Sequence, residues 1–378
     1  MSRRFTSIKI LSIIIMVSIF TFATAGVSIY QYFVGDVAHP SLAQPIQSPT
    51  AVATIADADS PELADTVLLQ ELSDALERPA FVALNYHHID AEITDNPITI
   101  SPELFQRHMR ILRQSDYQPI NYQQLTKFLQ IAEHARSIYA DRKTSPSNEP
   151  LSNELLSVEE RQVITADIQF LNSLPVRGYH ITFDDGYESF YRHAYPMLQE
   201  QKIPATFFVI VRSSQKALET APSWIHYPHV TWEQLQTIQR QSLFVVQSHT
   251  YSLHSYETTD TTQTIPSLSG RIYRDDLGRT ETQEEFLDRI YQDMLLSKSY
   301  LENRLRPHIA NGLSYPYGVY NEAVIEMAKK ADIAYLFTNQ PGVITYETSP
   351  LEIPRLNAGI PELDGNKLRS LLDSYLAF

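Results

Sequence analysis

The chain has 378 residues and a formal net charge of -14, from 44 Asp and Glu against 30 Lys and Arg. That acidic excess repels nucleic acid and other anionic polymers, which leaves a neutral or cationic polymer as the open substrate class. Cysteine is absent, which excludes a disulfide framework and lipid attachment through cysteine.

Arg3, Arg4 and Lys9 precede residues 10–34, a stretch without charge that is long enough to cross a bilayer at a helical rise of about 1.5 Å per residue. Residues 1–34 are therefore expected to export the remainder, as an uncleaved anchor or, if the small-residue site at Ala23-Thr24-Ala25 is cut near Ala25, as a signal peptide. The first of these is the expectation, because residues 26–34 stay apolar beyond that site. Residues 35–79 shift to Ala, Pro, Ser, Thr, Gln and Asp and read as a flexible linker, with helical apolar spacing over 63–76 leaving a short helix open.

Residues 80–378 alternate strand-like and helix-like runs. The strand-like runs are 81–86, 179–183, 205–211, 244–247, 313–315, 334–337 and 353–356, mostly continuously apolar, as for parallel strands buried on both faces. Ser101-Pro102-Glu103 caps and opens a helix, Thr231-Trp232-Glu233-Gln234 is a capping box, and Phe286, Ile290, Met294 and Leu301 mark a longer helix. The predicted fold is α/β, a distorted (β/α)7-type parallel barrel preceded by the membrane segment and linker. Two stretches, 131–176 and 255–282, exceed ordinary connections and read as insertions. The first includes a helix-like run over 157–171. The second leaves directly from a histidine loop and reads equally as a lid over a site or as a disordered surface loop.

The chemistry-bearing residues fall at strand ends: His87 and His88, Asp184 and Asp185, His249, and Tyr315-Pro316-Tyr317-Gly318. Asp-Asp-Gly alone is a turn signal, and His249 with His254, five apart, cannot share a helix face. Together they supply one carboxylate and two imidazoles, the donor set of a divalent metal site with positions left for water and substrate. Adjacent strand residues point to opposite sides, so the second carboxylate is free to act as a base. Zinc is the first expectation for the ion; cobalt, nickel and iron also suit the donors. Trp232, Tyr251 and Tyr317 are candidate platforms for sugar rings.

Thr182-Phe183-Asp184-Asp185-Gly186 resembles the first motif of the polysaccharide deacetylases, the NodB homology domain or carbohydrate esterase family 4, and the likeness runs from about residue 81 to the C-terminus. Ser248-His249-Thr250 through His254 resembles the second motif. Its five-residue histidine spacing, with Asn85-Tyr86-His87-His88 and Tyr315-Pro316-Tyr317-Gly318, is similar to the branch acting on poly-β-1,6-N-acetylglucosamine.

The resemblance implies Asp184 as base, Asp185, His249 and His254 as metal ligands, and His87 as general acid. The backbone N–H of Tyr317 is a candidate oxyanion donor beside the metal. Where many family members carry a base-orienting arginine, this chain has Ser314. Arg355 is the candidate replacement, and a surface or purely structural arginine is the commoner meaning of such a residue. The implied reaction is metal-dependent removal of N-acetyl groups from an extracellular amino-sugar polymer, with exopolysaccharide synthesis or export machinery and the membrane as partners. Peptidoglycan or chitin-type oligomers as substrate, or a non-catalytic carbohydrate-binding scaffold, are the alternatives.

Overall fold

The computed structural model describes residues 60–91, 96–143, 155–216, 227–259 and 263–376. The chain from Ala58 to Phe378 forms one compact unit. The expected membrane segment, residues 1–34, lies outside the described residues, and no described helix is long and apolar enough to cross a membrane.

Part of the expected linker is a helix, α1 (Pro61–Glu77), and the helix left open at 63–76 is real. Ser60 caps it by accepting from the Leu63 N–H, and Pro61 opens it. Its Leu68, Leu69, Leu72, Ala75 and Leu76 are buried, so this segment belongs to the folded body and the linker reading fails for it. Linker composition misled here because Ala, Ser and Asp also suit a capped helix with one apolar stripe.

The main sheet holds β1 (Ala80–Tyr86), β2 (Gln118–Pro119), β3 (Arg177–Phe183), β4 (Ala205–Val209), β5 (Phe244–Ser248), β6 (Gly312–Ser314), β7 (Tyr335–Phe337) and β8 (Leu356–Asn357). All its pairings are parallel, in the order β7-β6-β5-β4-β3-β1-β8, with β2 beside the start of β3. Ile353 bridges Phe337 of β7 in parallel while Leu356 and Asn357 pair with β1, so residues 353–357 link the two edges of a curled sheet. Along β1, Val82, Leu84 and Tyr86 join one buried cluster and Phe81 and Ala83 another. Both faces are thus covered, which is why these strands read as unbroken apolar runs.

The further helices are α2 (Pro102–Gln114), α3 (Tyr122–Lys143), α4 (Val158–Ser173), α5 (Tyr195–Gln201), α6 (Trp232–Gln239), α7 (Gln283–Arg304), α8 (Glu322–Lys330) and α9 (Gly365–Leu376), of which α2, α4, α6 and α7 follow the signals in the sequence. Capping boxes at Ser157/Glu160, Thr231/Gln234 and Thr282/Glu285 start α4, α6 and α7. Among its described residues, the 131–176 insertion holds the end of α3 and all of α4, against which α1 packs. Buried Asp65 of α1 joins them, accepting from the Leu156 N–H at 2.8 Å and from Arg161 Nε at 2.6 Å.

The 255–282 insertion is ordered among its described residues, which removes the disordered-loop reading. It forms two antiparallel ribbons, Tyr256–Thr258 with Thr264–Pro266 and Tyr273–Arg274 with Arg279–Thr280. Arg289 of α7 pins it, donating to Glu281 Oε1 at 2.7 Å and to the carbonyls of Ser267 and Gly270 at 2.9 and 3.0 Å.

Candidate metal centre

The C-terminal strand ends converge on one point. β3 runs straight into Asp184, Asp185 and Gly186; β5 ends at Ser248 and hands on to His249; β6 ends at Ser314. Strain collects here: Asp185 (φ 72), Thr250 (φ 69) and Tyr317 (φ 58) are three of the five described non-glycine residues with positive φ. Such backbone costs about 1–3 kcal/mol per residue and persists only where the surrounding structure holds it. Gly186 (φ +83) continues the turn, and a Cβ there would stand 3.2 Å from Val209 Cβ.

Asp185, His249 and His254 offer ligand atoms within 4.8 Å of one another, and among the described residues they are the group able to hold a metal ion. Asp185 Oδ1 lies 3.2 Å from Nε2 of each histidine. It is nonetheless a buried oxygen with no hydrogen-bond partner. Three donor atoms that approach closely without bonding one another suit a shared cation. The Nδ1–H of His249 donates to the Ser314 carbonyl at 2.8 Å, which turns Nε2, with its lone pair, toward Asp185. The residues therefore fit a divalent ion. Burial pushes Asp185 up, but His249 and His254 override it and hold the carboxyl far below the usual range. Burial takes His254 down to about 4, so its imidazole is a neutral ligand at neutral pH.

Asp184 turns the other way, into a buried network. Arg355 donates from both terminal nitrogens to its two oxygens, each at 2.8 Å, and Ser314 Oγ and Asn85 Nδ2 donate to Oδ2 at 3.0 and 3.2 Å. Arg355 is 1% exposed and also reaches Asn339 Oδ1 and the Thr338 carbonyl, each at 2.8 Å. The expectation of a surface arginine is overturned: this guanidinium is buried and grips the candidate base. Ser314, at the arginine position of the motif, joins the same network as a donor. Burial alone would raise Asp184, yet Arg355, followed by His249, brings it down to about 2.

His87 Nε2 stands 4.0 Å from Asp184 Oδ2, so of the two adjacent histidines it is the one at the site. Burial lowers its pKa against the pull of Asp185 and Asp184, and its buried Nδ1 has no partner. His88 faces away, with Nδ1 3.2 Å from Thr99 Oγ1 and its ring against Tyr227.

Tyr317 is 36% exposed, its ring 4.4 Å from that of His254, and the ring of Tyr256 of the insertion packs against it, tilted, at 4.6 Å and is 57% exposed. Tyr317 thus stays a candidate platform and gains a partner that sequence reading missed. Trp232 and Tyr251 do not: Trp232 is core, Tyr251 packs partly buried against it, and both rings stack on Tyr300 of α7. Helix amphipathicity put Trp232 on the inner face of α6, where packing claims an aromatic before a ligand can.

A cleft of about 650 Å³ opens from Asp185 and His254 between Tyr187, His229, Arg212 and Glu257. A larger groove of about 890 Å³ between α7 and residues 306–309 holds none of these groups. His229 and Tyr187 gave no sequence signal, since each is placed by an isolated bridge between two loops.

A curled parallel sheet with an Asp/His/His group and an arginine-held carboxylate at the C-terminal ends of its strands has the parts of a metal-assisted hydrolase. Residues 172–336 match the family model described as polysaccharide deacetylase. Among curated relatives, poly-beta-1,6-N-acetyl-D-glucosamine N-deacetylase of Escherichia coli (strain K12) is 25% identical over 272 residues, 70% of this chain and 34% of that protein. The protein of the same name from Staphylococcus aureus (strain MSSA476) is 25% identical over 182 residues, 48% of this chain and 54% of that one. The chain thus spans about a third to a half of the length of these relatives.

Two solved structures share the fold. A de-N-acetylase from Aggregatibacter actinomycetemcomitans superposes with a TM-score of 0.59 at 21% identity, covering 77% of this chain and 99% of that one. The BpsB deacetylase domain from Bordetella bronchiseptica gives 0.53 at 23%, covering 75% and 96%.

Proposed function

We propose that this protein is a metal-dependent N-deacetylase of an extracellular amino-sugar polymer, with poly-β-1,6-N-acetylglucosamine as the first substrate to test. The observation that carries the reading is the division of labour between adjacent carboxylates: Asp185 faces two imidazoles with an unpartnered oxygen, while Asp184 is gripped by Arg355. The name shared by the curated relatives supports the choice of polymer. The 650 Å³ cleft has room for sugar units beside the reacting one, and the exposed Tyr317 ring lies against His254, which lines it.

Asp185, His249 and His254 would hold one divalent ion, which supplies Lewis acidity toward the amide carbonyl and acidifies water. Asp184, ionised above a pKa of about 2, would accept the proton of the attacking water. Arg355, Ser314 and Asn85 keep both its oxygens oriented and its charge in place. The oxyanion that develops on the acetyl group is assigned to the backbone N–H of Tyr317. The amine must leave protonated. His87, whose Nε2 stands 4.0 Å from Asp184 Oδ2, is assigned to receive that proton from Asp184 through one intervening water and to deliver it to the departing nitrogen. Water adds at the carbonyl carbon, the C–N bond breaks, and acetate and a free amine result.

In this reading residues 1–34 anchor the enzyme to the cell membrane with the catalytic body outside the cytoplasm, or release it if cut near Ala25, close to the exopolysaccharide synthesis or export machinery. The test is amine and acetate release from β-1,6-linked N-acetylglucosamine oligomers by the chain from residue 58 onward, with chelator or added metal, beside Asp184→Asn. Metal-dependent release abolished by Asp184→Asn is expected. Release from chitin or peptidoglycan fragments alone moves the protein to another branch, and silence on all three leaves the binding role.

A further inference from the structure

The two histidine ligands are joined by four residues, and the backbone of that connection is tied down amide by amide. The His249 N–H donates to the Val209 carbonyl at 2.9 Å, the Thr250 N–H to Ser248 Oγ at 3.0 Å, and the Leu253 N–H to Thr250 Oγ1 at 3.1 Å. The two amides at its centre have a single acceptor group. The Tyr251 N–H reaches Asp293 Oδ1 at 2.8 Å, and the Ser252 N–H and Oγ–H reach Asp293 Oδ2 at 2.9 and 3.1 Å. Asp293 is buried on α7, and Ser297, one turn further along the same face, meets Ser248 Oγ at 2.6 Å. Tyr300 of that helix also stacks on Tyr251.

A loop carrying a strained Thr250 (φ 69) needs such support, because left-handed backbone relaxes when its contacts are lost. Burying a carboxylate is costly unless its acceptor sites are filled, and here three donors from the loop fill them. The carboxylate touches neither the cleft nor the reacting groups. Its contacts go to the segment between the ligands.

Resting on the metal-binding reading above, we infer that Asp293 is a positioning residue of the metal centre, holding the His249–His254 connection in the shape that brings both Nε2 atoms to Asp185 Oδ1. Asparagine at 293 keeps the size but offers one acceptor oxygen and turns an NH2 group toward an N–H donor, so one loop amide loses its partner.

The test is titration of the full metal-free chain with Co2+, read by the visible absorption of the bound ion. Asp293→Asn is expected to weaken Co2+ binding about 10- to 100-fold and to shift the absorption bands as the ligand geometry changes. Asp65→Asn, at an equally buried carboxylate outside the site, is expected to leave the bands in place, so a general loss of stability does not imitate the result. Wild-type affinity and bands in Asp293→Asn overturn the inference. Should that variant fail to fold, Ser252→Ala decides: weaker binding with shifted bands supports it, and unchanged bands overturn it. Absence of Co2+ binding by the wild-type chain overturns the metal reading and this inference together, whereas equal binding in wild type and variant overturns the inference alone.

Discussion

Arg355→Met removes the guanidinium from Asp184 while keeping an unbranched side chain of similar length. The wild-type arginine donates at 2.8 Å to both Asp184 oxygens, to Ser314, to Asn339 and to the Thr338 carbonyl, all in a place that water does not reach. Breaking a buried pair from one side costs about 3–5 kcal/mol, because the remaining charge is left uncompensated. The depressed pKa of the Asp184 carboxyl, lowered chiefly by Arg355, points the same way. Its fall from 3.8 to about 2, against burial that raises it, corresponds to about 2–3 kcal/mol of native-state stability. A depressed carboxyl contributes in full above its unfolded pKa, and the contribution is lost as pH falls through the folded value. The gap between wild type and Arg355→Met is therefore widest at neutral pH and closes in acid toward pH 2. Urea unfolding in the presence of chelator, at a series of pH values, reads it. A neutral-pH gap below about 1 kcal/mol, or one that stays constant into acid, refutes the reasoning.

Asp184→Asn is expected to lower amine release by about 10²–10⁴-fold while metal content, measured by elemental analysis, stays at the wild-type level; loss of the metal would return Asp184 to the ligand set. His254→Ala is expected to abolish both metal retention and activity, with an unfolding midpoint in chelator close to wild type. Gly186→Ala should destabilise the chain by about 1–3 kcal/mol, since φ +83 disfavours an L-residue and the new Cβ meets Val209. Asp65→Ala should cost about 1.5–3 kcal/mol and expose residues 61–77 to protease, because it releases α1 from Leu156 and Arg161.

The alternation of strands and helices was open to view in the sequence because each signal is local: a run of apolar residues, a cap, a proline at the first helical position. The same holds for Asp184, Asp185 and His249, whose positions at strand ends follow from the runs that precede them, and for His254 on the loop that leaves the second of these ends. Residues 61–77 were harder. Their helix is stabilised by burial against α4, a segment about a hundred residues away, and composition alone carries no record of that contact. The short β2 was missed for a related reason, since two residues paired only with the start of β3 have no pattern of their own.

What the amino-acid sequence determined by itself is the class of fold, the chemistry of the donor set and the placement of that set at one rim, all of which rest on spacing along the chain. The tertiary structure alone decided which groups meet. Arg355 reaches Asp184 across 171 positions, Asp293 reaches Tyr251 across 42, and Tyr256 comes to pack against Tyr317 from a separate insertion. Each of these contacts depends on how the sheet curls and which helix covers it. The orientation of the base and the support of the ligand loop are therefore properties of packing, in which residues with no shared motif are brought within hydrogen-bonding distance.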